Sequence, residues 1–204
     1  MVIAFDVDGT LFGTKKEIIS ALNVVLKRRG VEEVAKEEEN KFVGPSFHDT
    51  LQIYRYLTYD DAGKITLEFR EEYKKHISES KAFTGLEETM KILRKNKIHV
   101  CIATNKPNFQ VKTLMAKNNL YQYIETVKSN DNTGKSKSEM LKEIKEEIPS
   151  EDFYYMVGDT MGDLQAANEA GYLFIEASYG YGEFKVKNQF KIENLMDIVS
   201  VLGY

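Results

Sequence analysis

Apolar residues along the chain follow two periodicities, and the change between them divides the sequence. The chain opens on an unbroken apolar run, Val2 to Phe5, as expected of a strand that is buried on both faces of a parallel sheet. From residue 14 to about residue 80 the apolar positions recur at helical spacing, and no segment there has the pattern of a strand. After residue 84 short apolar runs alternate with helical patterns. This alternation predicts crossover units around a parallel sheet.

Local patterns place the individual elements. Further strands are predicted over 98–103, 124–127, 153–157 and 172–175. Helices are predicted to begin near residues 14, 46, 64, 84, 107, 138, 164 and 195, with a solvated helix over 32–41 and a turn over 58–61. Thr14 with Glu17, and Thr84 with Glu87, have the spacing of a capping box, which predicts a helix start at each threonine.

The first apolar run is too hydrophobic to stand alone, so we expect it to join the same sheet as the later strands. The helical block over residues 14–80 is then an insertion after the first strand. It is predicted to lie above the carboxyl ends of the strands, where a lid over a ligand site belongs.

Composition and charge limit the partners and the cellular location that we expect for the protein. The chain has 204 residues and a net charge of -4, which argues against a general nucleic-acid surface. The single cysteine, Cys101, excludes an intrachain disulfide, fits a reducing compartment and is expected in the core. No apolar run is long enough to span a bilayer, and the start of the sequence does not resemble a signal peptide. We therefore expect a cytoplasmic protein without membrane or nucleic-acid partners, whose oligomeric state the sequence does not indicate.

Polar clusters follow or flank the predicted strands. Their members are Asp6, Asp8 and Gly9, then Thr104 and Asn105, then Lys135 and Lys137, and finally Asp159 and Asp163. Because ligands of open α/β sheets lie beyond the carboxyl ends of the strands, we expect these groups at one edge. Carboxylates there can bind Mg²⁺ or attack phosphorus, while lysine, hydroxyl and amide groups hold phosphate oxygens. The set therefore predicts phosphoryl transfer.

At this point the sequence resembles the haloacid dehalogenase superfamily of phosphohydrolases. Its four motifs occur in order, as DVDGTL at 6–11, Thr104-Asn105, a lysine at 135–137 and GDTMGD at 158–163. The resemblance covers essentially the whole chain. It implies an α/β fold with a three-layer Rossmann-like parallel sheet core, residues 1–13 and 81–204, and an inserted α-helical cap, residues 14–80.

Two loops refine the resemblance to phosphoglycolate-phosphatase-like members. One is Phe42-Val43-Gly44-Pro45 in the insertion, and the other, a weaker match, is Tyr179-Gly180-Tyr181-Gly182.

The resemblance also implies roles for the acidic residues. Asp6 is implied as the nucleophile, which forms an aspartyl-phosphate, and Asp8 as the acid that protonates the leaving oxygen and then activates water. Mg²⁺ is implied as the cofactor, held by the Asp6 carboxylate, the Asp8 backbone carbonyl and Asp159, with Asp163 close by.

Phosphate oxygens are implied to bind Gly9, Thr104, Asn105 and a lysine. In the common form of the family a proline follows that lysine, but here serines stand at 136 and 138. The choice is therefore open between Lys137, which we prefer because a helical pattern begins directly after it, and Lys135.

The expected substrate is a small phosphorylated metabolite, with phosphoglycolate as the first guess. A phosphosugar mutase, a nucleotidase and a pyrophosphatase use the same set of residues, and a phospho-accepting receiver domain is a remote alternative. Within the insertion, His48 is a possible substrate contact. Lys106 precedes Pro107 and is expected to be solvated rather than to face the cleft.

Overall fold

The computed structural model describes residues 1–45, 50, 51, 54, 56–130, 134–150, 153–187 and 190–204. The strands of its main sheet are β1 Val2–Phe5, β4 His99–Thr104, β5 Thr126–Ser129, β6 Tyr154–Gly158, β7 Leu173–Ala177 and β8 Phe190–Ile192. They form one parallel sheet in the order β5-β4-β1-β6-β7-β8. The predicted α/β fold with a parallel sheet is confirmed, although β8, a three-residue edge strand with a central lysine, has no strand pattern in the sequence.

Helices cover both faces of this sheet. The α-helices are α1 Lys15–Arg28, α2 Tyr59–Tyr73, α3 Leu86–Lys95, α4 Asn108–Lys117, α5 Lys137–Glu147, α6 Met161–Ala170 and α7 Asp197–Val201. Apolar residues of α3, α4 and α7 belong to the hydrophobic cluster on one face, and those of α5 and α6 to the cluster on the other. The core therefore has three layers, helices, sheet and helices, as predicted.

Strand β1 lies at the centre of the sheet and is buried on both faces. Ile3 and Phe5 belong to one hydrophobic cluster, while Val2 and Ala4 belong to the other. Cys101 on the neighbouring β4 is fully buried in the second cluster, and burial raises the pKa of its thiol to about 12. The prediction that this cysteine is a core residue is confirmed.

The helical insertion pairs its two ends where it leaves the core. Strands β2 Phe12–Gly13 and β3 Lys81–Ala82 are antiparallel and join the chain just before residue 14 to the chain just after residue 80. Within the insertion, α1 packs against α2. Two ion pairs link these helices, Arg28 with Glu72 at 2.9 Å and Arg29 with Glu68 at 2.6 Å. The division into a core and a cap at these residues stays a prediction.

Several local predictions are wrong, each because a different contact replaces the expected one. Thr14 does not cap α1 with its side chain, because its hydroxyl donates to Asp8. Helix α3 has Gly85 at its N-cap, with a φ of 84° and no side-chain cap. The predicted turn at 58–61 is instead a capping box between Thr58 and Asp61 that begins α2 at residue 59.

Two more boundaries differ from the predicted ones. The charged stretch forms a 3₁₀ helix, Lys36–Phe42, and β5 begins two residues later than expected. His48 lies outside the described residues, and so does most of the helix that is predicted to begin at Ser46. In the part of the chain that is described, no helix is both long and apolar enough to cross a membrane.

Candidate active site

Three buried carboxylates meet at the carboxyl edge of the sheet. Asp6 directly follows β1, Asp159 directly follows β6, and Asp163 lies in the first turn of α6. Because β1 and β6 are neighbours, one oxygen from each carboxylate lies within 4.8 Å of the other two. Each residue is at most 1% exposed. The structure thus brings together three of the four acids that the sequence singled out, and we call Asp6, Asp159, Asp163 and the adjacent Lys137 the acid cluster.

Hydrogen bonds hold the two later acids in place. Asp159 Oδ1 accepts from the Thr10 hydroxyl at 3.2 Å, and Oδ2 accepts from the Tyr181 backbone N–H at 2.8 Å. Asp163 Oδ2 accepts from the N–H and the hydroxyl of Thr160, which caps α6 in a capping box. Each carboxylate therefore has a fixed orientation before any ligand binds.

Glycines allow the backbone to approach Asp159 from two loops. Gly9 has a φ of 80°, and a Cβ there would lie 2.1 Å from the Asp159 carboxylate. At Gly180 a Cβ would lie 2.2 Å from the Asp159 side chain. The sequence implied Gly9 in phosphate binding, and the structure adds a steric reason for glycine at this position.

Lys137 and Lys135 have different environments. Lys137 is the first residue of α5, is 9% exposed, and pairs with Asp6 at 3.0 Å and with Asp163. Burial lowers the pKa of its ammonium, but Asp163 and Asp6 outweigh burial, so the pKa lies above the usual value. Lys135 is exposed and pairs with Glu143 on the surface. The geometry favours Lys137 as the lysine of the site.

The acid cluster carries an uncompensated negative charge. Burial raises the pKa of Asp6 to about 6, with Lys137 opposing the shift and the Asp163 and Asp8 carboxylates adding to it. Burial, together with Asp6 and Asp163, raises the pKa of Asp159 to about 8. When all three carboxylates are ionised, they face one ammonium, which leaves an excess of two negative charges among the described residues.

The cluster also has an unsatisfied oxygen. Asp6 Oδ1 is buried and accepts no well-oriented hydrogen bond, although the Lys137 ammonium is near it. An unpaired oxygen, an all-carboxylate donor set and a double negative excess fit one hard divalent cation such as Mg²⁺. The residues present therefore fit the predicted metal.

Asp8 is not part of the acid cluster and has a different set of partners. Its Oδ1 accepts from the Thr14 hydroxyl at 2.6 Å, and the Lys106 ammonium donates to Oδ1 at 2.8 Å and Oδ2 at 3.1 Å. Lys106 is only 4% exposed, so the expectation of a solvated lysine is wrong. The same ammonium donates to the hydroxyl of Tyr73, the last residue of α2, at 3.2 Å.

A cavity of about 590 Å³ lies between this edge of the sheet and α2, and we call it the site cavity. Asp6, Asp8, Thr104 and Asn105 line it from the core. Asn105 also donates to the Gly44 carbonyl at 3.0 Å, which joins the core to the loop of the insertion. The wall contributed by the insertion includes Ile18, Phe42, Tyr59, Gly63, Lys64, Leu67, Phe69, Arg70 and Tyr73.

Sequence reasoning missed some residues that support the site. The Tyr181 backbone N–H binds Asp159, and its hydroxyl accepts from the Lys15 N–H at 3.2 Å. The Tyr179 hydroxyl donates to the Thr10 carbonyl at 2.9 Å. In the sequence, the signal for these residues was the weak resemblance of the loop at 179–182 to phosphoglycolate-phosphatase-like members. A backbone donor such as the Tyr181 N–H leaves no side-chain pattern that could be recognised.

Comparisons with known proteins agree with this architecture. A family model described as haloacid dehalogenase-like hydrolase matches residues 3–177. A phosphoglycolate phosphatase from Aquifex aeolicus is 28% identical over 98% of this chain and 96% of its own length. A 5'-nucleotidase from Pseudomonas aeruginosa is 25% identical over 88% of this chain and 83% of its own.

A solved structure supports the fold. A haloacid dehalogenase-like family hydrolase from Streptococcus pneumoniae superposes with a TM-score of 0.88 over 98% of this chain and 97% of that chain, at 19% identity. With most of its length matched by the family model, the chain belongs to the haloacid dehalogenase-like hydrolase family.

Proposed function

We propose that this chain is a Mg²⁺-dependent phosphatase that hydrolyses a small phosphomonoester through an aspartyl-phosphate on Asp6. The phosphatase activity itself follows from the comparisons, because the chain belongs to this hydrolase family and its relatives include phosphatases that act on phosphoric monoesters. The observation that supports Mg²⁺ dependence and an aspartyl-phosphate is the acid cluster. In it the Asp6 carboxylate, the proposed nucleophile, lies beside two further acids and a buried lysine.

In this proposal Asp6 and Asp159 hold the cation, with the Asp8 backbone carbonyl, and Asp163 lies beside them. Asp163 is already ion-paired with the Lys137 ammonium, whereas the hydrogen-bond partners of Asp159 are neutral, which favours an indirect role for Asp163. The cation supplies charge neutralisation, without which a carboxylate and a phosphate dianion repel each other. Thr104 and Asn105, which line the site cavity, bind phosphate oxygens.

Lys137 has a donor left for the phosphate. Its ammonium carries three N–H donors; one donates to Asp163, and a second faces Asp6 without a well-oriented hydrogen bond to it. The third is available to an equatorial oxygen, where a positive charge stabilises the transition state.

The first step forms one bond and breaks one. An Asp6 carboxylate oxygen attacks phosphorus, the bond from phosphorus to the ester oxygen breaks, and the protonated Asp8 carboxyl gives its proton to that leaving oxygen. An alcohol leaves, and Asp6 carries the phosphoryl group.

The second step regenerates the site. The Asp8 carboxylate takes a proton from water, the water oxygen attacks phosphorus, and the bond between Asp6 and phosphorus breaks. Inorganic phosphate leaves, Asp6 is again a carboxylate, and Asp8 is again protonated. The helical insertion is proposed to act as the cap that excludes bulk water during both steps.

The test is phosphate release from a panel of phosphomonoesters with Mg²⁺, for the wild type and Asp6→Asn. Removing the nucleophile is expected to lower kcat at least about a thousandfold. Glu88→Gln, the same charge change at an exposed position of α3, serves as the control and should keep wild-type rates. Wild-type turnover in folded Asp6→Asn would contradict the proposal.

A nucleoside monophosphate is a second candidate substrate beside phosphoglycolate. The observation that favours it is the volume of the site cavity, about 590 Å³, which exceeds what a two-carbon acid fills. The 5'-nucleotidase relative is consistent with it. Comparing kcat/KM for the two esters decides between them. We also propose a cytoplasmic location, which the single, unpaired cysteine supports.

A further inference from the structure

Lys106 is a buried cation that the two proposed steps leave without a role. We infer that it is a positioning residue for Asp8, holding that carboxylate at the wall of the site cavity, and that Tyr73 holds Lys106 in turn from the insertion. The inference rests on the proposed function, because it concerns how Asp8 reaches the leaving oxygen.

Burial makes the pairing with Asp8 obligatory for Lys106. Its side chain is 2% exposed, and an ammonium removed from water is costly unless it is paired and hydrogen-bonded. Burial lowers the pKa of Lys106, yet Asp8 and Tyr73 outweigh burial and leave the pKa above its usual value. The lysine therefore stays charged, and its position is tied to that of Asp8.

The contacts fix the carboxylate in one orientation. Asp8 Oδ1 accepts from both Lys106 and Thr14, while Oδ2 accepts only the longer Lys106 contact among the hydrogen bonds of the described residues. Oδ2 therefore retains more free acceptor capacity. We assign Oδ2 as the oxygen that carries the transferred proton.

A direct role of Lys106 in phosphate binding is disfavoured by the count of its donors. An ammonium has three N–H groups, and here they meet Asp8 Oδ1, Asp8 Oδ2 and the Tyr73 hydroxyl. None is left for a phosphate oxygen. Lys137, with two such contacts, differs in this respect.

Tyr73 connects this arrangement to the insertion. It is fully buried at the end of α2, and its ring stacks on Phe69 at 5.5 Å between centroids. The Lys106 ammonium lies 4.7 Å from the centre of the same ring, so the hydroxyl and the ring both hold it. Any movement of α2 relative to the core would therefore move a partner of Lys106.

The experiment compares two leaving groups. An alkyl phosphate needs a proton on its leaving oxygen, whereas p-nitrophenyl phosphate releases a stable anion and needs little help. The alkyl ester is phosphoglycolate or, if that is not turned over, the best alkyl phosphate of the panel. The measured quantity is kcat/KM, which reports the steps up to phosphoryl transfer to Asp6 and excludes the later hydrolysis.

Lys106→Met is expected to lower kcat/KM for the alkyl phosphate at least about tenfold and for p-nitrophenyl phosphate less than about threefold. Tyr73→Phe, which removes only the hydroxyl, should show the same selectivity with a smaller loss. Inhibition by inorganic phosphate should be unchanged in both variants. Lys112→Met, the same substitution at an exposed position of α4, is the control and should behave as the wild type.

A double-mutant cycle tests whether Lys106 acts through Asp8. In an Asp8→Asn background, adding Lys106→Met should cause no further loss on the alkyl phosphate. Equal losses on both esters, weaker inhibition by phosphate, or an additive loss in the double variant would overturn the inference. Thermal denaturation of each variant shows whether a loss of activity reflects a general loss of structure. If Lys106→Met unfolds, Tyr73→Phe, a milder change, still tests the inference.

Failure of the inference is distinguishable from failure of the proposed function. If Asp8→Asn turns over the alkyl phosphate at the wild-type rate, the acid–base role of Asp8 is wrong. If Asp8→Asn is crippled and Lys106→Met is not, only the positioning role is wrong.

Discussion

The two walls of the site cavity differ in how completely the fold determines them. On the core side, the lining residue Asp6 belongs to the buried acid cluster, whose members contact each other or backbone groups. On the insertion side, α2 presents Tyr59 and Leu67, which are 76% and 62% exposed. Large apolar side chains left in water at the rim of a cavity are typical of a surface that a ligand covers. In the proposed function, the core wall sets the reaction and the insertion wall selects the ester.

The largest effect is expected at the acid cluster, and it distinguishes the two lysines between which the sequence left the choice open. Lys137→Met should lower kcat at least about a hundredfold, because it removes the charge that faces both Asp6 and the phosphate. Lys135 is exposed and pairs with Glu143 on the surface, so Lys135→Met should stay within about twofold of the wild type. Steady-state kinetics on the same substrate measure both. A larger loss in the Lys135 variant would reverse the assignment.

The next effect concerns the cation. Asp159→Asn removes one of the two carboxylates proposed to hold Mg²⁺, so the Mg²⁺ concentration for half-maximal activity should rise at least about tenfold. Chelation by EDTA should abolish wild-type activity, and added Mg²⁺ should restore it. An unchanged Mg²⁺ requirement in Asp159→Asn would remove that residue from the metal site.

The same residue predicts a pH dependence of stability in the metal-free protein. The pKa of Asp159 rises from 3.8 to about 8 on folding, so between these values the folded state holds more protons than the unfolded state. The free energy of unfolding therefore falls as pH rises through this window, by on the order of a few kcal/mol. Asp6, whose pKa is raised to about 6, adds to this decrease in the free energy of unfolding in the lower part of the pH window.

Thermal or urea unfolding without metal, from pH 4 to pH 8, measures this dependence. Asp159→Asn should show a shallower fall than the wild type, and Mg²⁺ should stabilise the wild type more at the upper end. Identical pH profiles for the two proteins would contradict the crowding of charges described for the acid cluster.

The smallest effect is expected on the insertion wall, at Gly63. This glycine lies within α2 and lines the site cavity, yet a Cβ there would meet nothing within 4 Å. A glycine inside a helix costs about 1 kcal/mol relative to alanine, so no steric or helical reason favours it. We therefore expect its missing side chain to leave room for the ester.

Gly63→Leu should therefore leave the fold at least as stable while lowering kcat/KM several-fold for the larger esters of the panel and little for the smallest. Gly63→Ala, which gains helix stability but fills little space, is the matched comparison. A uniform change across the panel would mean that this wall does not select the substrate.

Patterns in the sequence predicted the acid cluster because its residues stand next to elements that periodicity identifies. Asp6 and Asp159 directly follow buried strands, and parallel strands bring their carboxyl ends to one edge. The same patterns failed for Lys106 and Thr14, since a lysine before proline is usually solvated and a threonine before a helix usually caps it. In the structure both bind Asp8, and Lys106 is 98 residues away from it in sequence.

The insertion wall was beyond prediction for a related reason. Which α2 residues face the cavity depends on how the insertion docks on the core, for example through the Asn105 contact with the Gly44 carbonyl. No periodicity within either segment contains that information. The predicted substrate contact at His48 lies outside the described residues and stays a prediction.

The central claim, that Asp6 becomes covalently phosphorylated, is tested most directly with Asp8→Asn and p-nitrophenyl phosphate. This ester needs no acid to leave, whereas the second step lacks its base, so the phosphoenzyme should accumulate. After acid quench, mass spectrometry should find one added phosphoryl group, on the peptide that contains Asp6, and none in Asp6→Asn/Asp8→Asn. A phosphoryl group on another residue would contradict the account. So would turnover by the wild type with Asp6 unmodified in every acid-quenched sample.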